Sequence, residues 1–217
     1  MNRLGVVFDL DGTLIDSRLD IASSANHALA AHGWKALSIE EISRYVGDGA
    51  RWLLARAARL EHDAPELDAL LATFVAHYAE HPTDHTQLLP GAREVLALLG
   101  HLPLALCTNK PRAITDRVLE NLQLSAPFRV VIGGGDLPKN KPDPLPLRHI
   151  AERLGLHASE LVMVGDGAQD IGCAKAAGAR AVGVEGGMQG NAPLLASQPD
   201  VLLKSLFELP AALEQWF

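Results

Sequence analysis

The chain has only two cysteines, Cys107 and Cys173. They stand far apart and in no ligand spacing, which excludes a disulfide scaffold or a zinc knuckle and leaves ordinary buried thiols. Aromatic residues make up 5% of the sequence, and Trp34, Trp52 and Trp216 are scattered along it. A stacking platform for bases is therefore not expected, and the three tryptophans are read as packing residues. Basic residues are the minority, 19 against 26 acidic, giving a net charge of −7. A field of that sign excludes an extended nucleic-acid or anionic-membrane surface, so any positive charge meeting an anionic ligand has to be local. No apolar run reaches membrane-spanning length. The segment Leu4-Gly5-Val6-Val7-Phe8 is too short, and too soon followed by acids, for a signal segment. The expectation is a soluble, cytoplasmic protein, monomeric or homodimeric, without nucleic-acid or membrane partners.

What is present is a rhythm. Short runs rich in Val, Leu and Ile recur at residues 4–8, 102–107, 129–132, 161–164, 181–184 and 200–203, each too short for a helix and therefore read as buried strands. Between them lie helical patterns: Gly91 to Leu99, Pro111 to Leu122, Pro144 to Leu154 closed by Gly155, and Ala168 to Ala177 closed by Gly178. Proline at the start and glycine past the end are the expected punctuation. Asp143 is read as a helix N-cap, and Ser205 with Glu208 has the spacing of a capping box. Strands alternating with helices predict an α/β fold with a Rossmann-like parallel sheet covered on both faces.

Residues 16–88 break this alternation with helical periodicity alone, which predicts a helical domain inserted into a core made of residues 1–15 and 89–217. Within the insert Leu67, Leu70, Leu71, Phe74, Val75 and Tyr78 share one helical face that Pro82 ends. His77, His81 and His85 are spaced by four, but Pro82 interrupts them, so a polar helix end is the reading preferred over a metal site.

In a doubly wound sheet, ligands bind at the carboxyl ends of the strands. Asp9 and Asp11 follow the first strand, Thr108 and Asn109 follow Leu104-Ala105-Leu106-Cys107, Gly165-Asp166 follows Leu161-Val162-Met163-Val164, and Lys141 leads into the helix at Pro144. Each has a bland explanation singly: a turn, a strand-end hydroxyl, a solvated loop cation. Together, an acid pair, a hydroxyl, a cation and another acid pair at strand ends of one sheet form a reaction site. Two carboxylates one residue apart divide two roles when their environments differ, one staying ionised and the other exchanging a proton. Phosphate-ester cleavage needs that division: a carboxylate nucleophile forms an acyl phosphate, an acid protonates the departing alkoxide, and water then attacks. A hard cation and a fixed ammonium must offset the negative charge. Asp9 and Asp166 are oxygen ligands suited to Mg²⁺, and Lys141 is the fixed charge.

The four segments together resemble the ordered motifs of the haloacid dehalogenase-like hydrolase superfamily: Asp9-Leu10-Asp11-Gly12-Thr13, Thr108-Asn109, Lys141-Pro142, and Gly165-Asp166 with Asp170. The resemblance covers residues 4 to 184. It implies Asp9 as nucleophile, Asp11 as acid/base and backbone metal ligand, and Asp166 as the completing Mg²⁺ ligand. It further implies that Thr108 and the Asn109 amide hold phosphate, that Lys141 neutralises Asp9, that Asp170 orients Lys141, and that the insert is a cap over a small phosphorylated metabolite. Gly167 and Gln169 depart from the pattern, since relatives often carry Ser and Asn there. Within the superfamily, Val46-Gly47-Asp48-Gly49-Ala50, Arg56-Ala57, Thr108-Asn109-Lys110-Pro111 and Gly134-Gly135-Asp136 resemble phosphoglycolate phosphatases. Sugar-phosphate phosphatases and phosphomutases of the β-phosphoglucomutase kind share much of this. Asp11 argues against carbon–halogen cleavage, Lys35 is the one insert lysine a phosphonate-cleaving relative could use, and a non-enzymatic phospho-accepting switch would place its acceptor after an interior strand. Gly49 is expected to approach the phosphate; Arg51 is read either as the partner of a substrate carboxylate or as a solvated residue of its helix's first turn.

Overall fold

The computed structural model describes residues 4–216; the first three residues and Phe217, at the two outer limits of the predicted core, lie outside the described residues. Six strands form one parallel sheet. In chain order the elements are β1 (Gly5–Phe8), β2 (Ile15–Asp16), α1 (Arg18–Ala31), α2 (Ile39–Ser43), α3 (Ala50–Ala58), α4 (Glu66–Glu80), β3 (Gln87–Leu88), α5 (Ala92–Leu98), β4 (Leu104–Pro111), α6 (Arg112–Asn121), β5 (Val130–Gly134), α7 (Leu145–Leu154), β6 (Leu161–Gly165), α8 (Ala168–Ala177), β7 (Arg180–Val184), α9 (Asn191–Ala196), β8 (Val201–Leu203) and α10 (Leu209–Glu214). The sheet order is β5-β4-β1-β6-β7-β8, with β1 between β4 and β6.

The strands are continuous apolar runs because both sheet faces are buried. Val6 and Phe8 join one apolar cluster with Leu104, Leu106, Val162 and Val164; Val7 joins the other with Ala105, Cys107, Leu161 and Met163. The period of two thus sorts one strand's residues between two cores. Cys107 and Cys173 are free and buried, as expected. Asp143 accepts from the Leu145 amide at 2.9 Å, as a cap residue does.

α1 to α4 lie consecutively between β2 and β3, which pair antiparallel as Ile15 with Leu88 and Asp16 with Gln87. This two-residue ribbon is the neck through which the chain leaves the sheet and returns. Asp20, 2% exposed, pins it: its carboxylate accepts from the amides of His85 (3.0 Å) and Thr86 (2.8 Å) and from Thr86 Oγ1 (2.6 Å). α4 buries Leu67, Leu70, Phe74 and Tyr78 on the predicted stripe and ends before Pro82. His77 stacks on His27 at 4.1 Å, while His81 pairs with Asp84; the three spaced histidines form no metal-ligating cluster among the described residues.

Three expectations need correction. Ser205 and Glu208 make no reciprocal box: Ser205 Oγ accepts from the Phe207 amide, while Glu208 approaches the Lys204 amide, one residue early. Trp52 is half-exposed and stacks on His62 at 4.0 Å rather than entering a core. The strand expected at 102–107 starts at Leu104 and runs on through polar Thr108, Asn109 and Lys110 to Pro111, because Pro111 still pairs with Gly134 of β5 after an irregularity in register.

Candidate active site

The central strands β1, β4 and β6 end side by side, so the residues just past them share one crevice. The Asp9 amide donates to Val164 O at 2.9 Å, which fixes the first residue beyond β1 against β6. The chain then turns at Gly12, where φ is +88° and a Cβ would lie 2.4 Å from Asp166 Oδ2; a side chain is excluded there on both counts. Thr13 Oγ1 donates to Asp166 Oδ1 and the Met188 amide to Asp166 Oδ2, both at 2.9 Å.

Lys141 has one acceptor for each of its three N–H donors: Asp9 Oδ1 at 2.8 Å, Asp170 Oδ1 at 2.6 Å and Cys107 O at 2.6 Å. Asn109 holds the lysine backbone in place, its Oδ1 accepting from the Lys141 amide at 3.0 Å and its Nδ2 donating to Lys141 O at 2.8 Å. Asp170 spends its second oxygen on the Gly167 amide at 3.0 Å. Gly167 and Gln169, the two departures from the motif, are coupled: a Cβ at 167 would sit 2.1 Å from Gln169 Nε2. The longer side chain takes the space a serine at 167 would fill.

Asp9, Asp166 and Asp170 bring carboxylate oxygens within 4.8 Å of one another, all buried. Three acids therefore face one ammonium. Burial raises the Asp9 carboxyl well above the usual carboxylate range; Lys141 opposes this, and Asp170 and Asp166 add to it. Burial, then Asp170, raises Asp166 as well. Burial disfavours the Lys141 charge, yet Asp170 and Asp9 hold its pKa well above the usual lysine value. Excess negative charge, an all-oxygen donor set and an ordered backbone fit a hard divalent cation such as Mg²⁺. Asp9, Asp166 and Asp170 are the side chains grouped where such a cation could bind.

Asp11 faces elsewhere. Its Oδ1 accepts from Ser17 Oγ at 2.5 Å and from Lys110 Nζ at 2.8 Å. Lys110 also donates to Tyr78 Oη of α4 at 2.5 Å, and it lies 4.3 Å from that ring's centre. Neither Lys110 nor Tyr78 stands out in the sequence: the lysine falls inside the Thr108-Asn109-Lys110-Pro111 segment and the tyrosine on the apolar stripe of α4. The available signal was a long cation directly after Thr108-Asn109 in a strand that does not end where its apolar run ends.

Asp9, Asp11, Thr108, Asn109 and Lys110 line an inner pocket of about 40 Å³, closed from the insert by Gly47, Gly49, Ala50, Leu53, Phe74 and Tyr78. Asn109 Nδ2 donates to Gly47 O at 2.8 Å and Gln189 Nε2 to Val46 O at 2.5 Å, so the loop before α3 is tied down onto the sheet edge. Gly49 lines this pocket, with φ +99°. Arg51 does not line it: its Nη1 is 2.6 Å from Asp68 Oδ1 and its Nε donates to His62 O at 2.8 Å, beside a wider outer cleft.

The family model described as haloacid dehalogenase-like hydrolase matches residues 6–184. A phosphoglycolate phosphatase of Chromobacterium violaceum is 40% identical over 210 residues, covering 94% of this chain and 93% of the relative. One from Neisseria meningitidis is 41% identical over 215 residues, covering 94% and 91%. A crystal structure of a predicted phosphoglycolate phosphatase from Haemophilus somnus superposes with a TM-score of 0.89 at 30% identity, covering 98% of both chains. With these matches spanning nearly the whole length, the chain belongs to the haloacid dehalogenase-like hydrolases.

Proposed function

We propose that this protein is a Mg²⁺-dependent phosphomonoesterase of small organic phosphates, with 2-phosphoglycolate as its substrate and residues 16–88 as a cap over the site. The observation that carries the reading is Lys141 gripping Asp9 Oδ1 while Asp11, two residues on, is held separately by Ser17 and Lys110. One carboxylate is fixed for attack and the other for proton transfer.

Asp9 Oδ2, not used by Lys141, attacks phosphorus in line with the ester oxygen. As the P–O bond breaks, Asp11 gives its proton to the alkoxide, and the Asp9 acyl phosphate remains. Asp11 then takes a proton from water, which attacks the same phosphorus; inorganic phosphate leaves and Asp9 is restored. Thr108 and the Asn109 amide receive the phosphoryl oxygens, Lys141 balances their charge, and Asp170 holds Lys141 in line. When bound by Asp9, Asp166 and the Asp11 backbone, Mg²⁺ supplies neutralisation of the phosphoryl dianion.

The relatives' names favour 2-phosphoglycolate over a hexose phosphate. The test is phosphate release from a panel of phosphomonoesters with Mg²⁺, alongside an assay for sugar-phosphate isomer formation. The expected result is the highest kcat/KM for 2-phosphoglycolate and no isomerisation. A hexose phosphate at the head of the panel, or transfer between sugar hydroxyls, would overturn the substrate assignment.

A further inference from the structure

A two-carbon substrate bearing a carboxylate brings a second negative charge into a pocket whose remaining wall is apolar, and Arg51, a candidate cation to meet it, is committed to Asp68. Among the described residues, the one cation lining the inner pocket is Lys110. It is 5% exposed and has two hydrogen-bond partners, Asp11 Oδ1 and Tyr78 Oη. An ammonium has three donors, so one remains for an incoming acceptor. Asp11 keeps Ser17 Oγ on the same oxygen when Lys110 turns toward a ligand.

We propose that Lys110 and Tyr78 form the subsite for the substrate's own carboxylate, and so set the preference for carboxylated over neutral phosphomonoesters. The proposal rests on the phosphatase reading above. Lys110 comes from β4 beside the phosphate-holding pair, and Tyr78 from α4 of the insert, so the subsite is complete only with the insert seated on the sheet edge. A carboxylate there accepts a charge-assisted hydrogen bond from Lys110 and a second from the tyrosine hydroxyl. A neutral hydroxyl in its place can accept a hydrogen bond but forgoes the ion pair with Lys110, so such analogues bind more weakly. The fold thereby explains why a lysine is buried where most of the wall is Ile21, Val46, Leu53 and Phe74.

The experiment compares 2-phosphoglycolate with 2-hydroxyethyl phosphate, its neutral counterpart, in the full-length protein with Mg²⁺. Wild type should favour the acid by about 100-fold in kcat/KM. Lys110→Met should cut that ratio at least tenfold, chiefly through KM for the acid, and Lys110→Arg should restore part of it. Tyr78→Phe, a change that removes one oxygen from a packed ring, should lower the ratio severalfold with circular dichroism unchanged; it carries the test if Lys110→Met fails to fold. Equal losses on both substrates would make Lys110 a positioning residue for Asp11 and overturn the subsite, while the phosphatase reading stands. Wild-type hydrolysis of both esters without preference would overturn the 2-phosphoglycolate assignment and the subsite together. A wild type inactive on both would overturn the phosphatase reading itself.

Discussion

Asp9 and Asp170 meet on a single ammonium, and each residue in that chain is fixed by the next. Lys141 is saturated by Asp9, Asp170 and Cys107 O, and Asp170 by Lys141 and the Gly167 amide. Asp170→Asn keeps the shape but replaces a charged acceptor with a neutral group whose amine opposes the Gly167 amide. Its kcat is expected to fall about 10- to 100-fold with KM for phosphate esters nearly unchanged, because the residue acts through Lys141; a steady-state comparison on one substrate checks this. Asp9, Thr108 and Asp166 were legible in the sequence because chemistry at a sheet edge follows short apolar runs, and Lys141 because it stands in the loop that leads into a helix of the same sheet. Lys110 and Tyr78 were not, because they meet across 32 positions and a tyrosine on an apolar helical stripe looks like core. The place of Arg51 beside the Gly47-Asp48-Gly49 turn leaves its role open in the sequence, because Asp68, one helix away, decides where its guanidinium goes.

The parallel strands and their helices were readable because strands buried on both faces are unbroken apolar runs, and because Gly155 and Gly178 end α7 and α8 in left-handed conformations. The β2–β3 ribbon was not, since two-residue strands leave no periodicity to detect. Its stability rests instead on Asp20, whose role depends on contacts 65 and 66 residues away. Asp20→Ala leaves the His85 and Thr86 amides without their acceptor, and a hydrogen bond to a charged group is worth about 1.5–3 kcal/mol net. The variant should lose roughly 2–4 kcal/mol by urea unfolding, and protease cleavage near the neck should quicken. Unchanged unfolding would show that the ribbon is held by α1 against α4 alone.

Across the whole molecule, a net negative protein carries a buried acid cluster whose Asp9 and Asp170 pair with Lys141. Burial raises the folded pKa of Asp9 and Asp166 above their unfolded values. In metal-free protein, the stability these groups contribute is therefore full below about pH 4 and is lost as pH rises through their folded values toward and past neutrality. A cation bound there requires the ionised forms and reverses that loss. The rise in Tm on adding Mg²⁺ to EDTA-treated protein should be larger at pH 8 than at pH 6, and a gain independent of pH would contradict this. The most direct test of the central claim traps the acyl phosphate itself. Protein mixed with 2-phosphoglycolate and Mg²⁺ is quenched in acid within one turnover, reduced with borohydride and mapped by peptide mass spectrometry. Homoserine at position 9, absent from an Asp9→Asn variant that folds normally but has lost turnover, is the expected result. Homoserine at another aspartate, or an Asp9→Asn variant hydrolysing near the wild-type rate with Mg²⁺ present, would contradict the account.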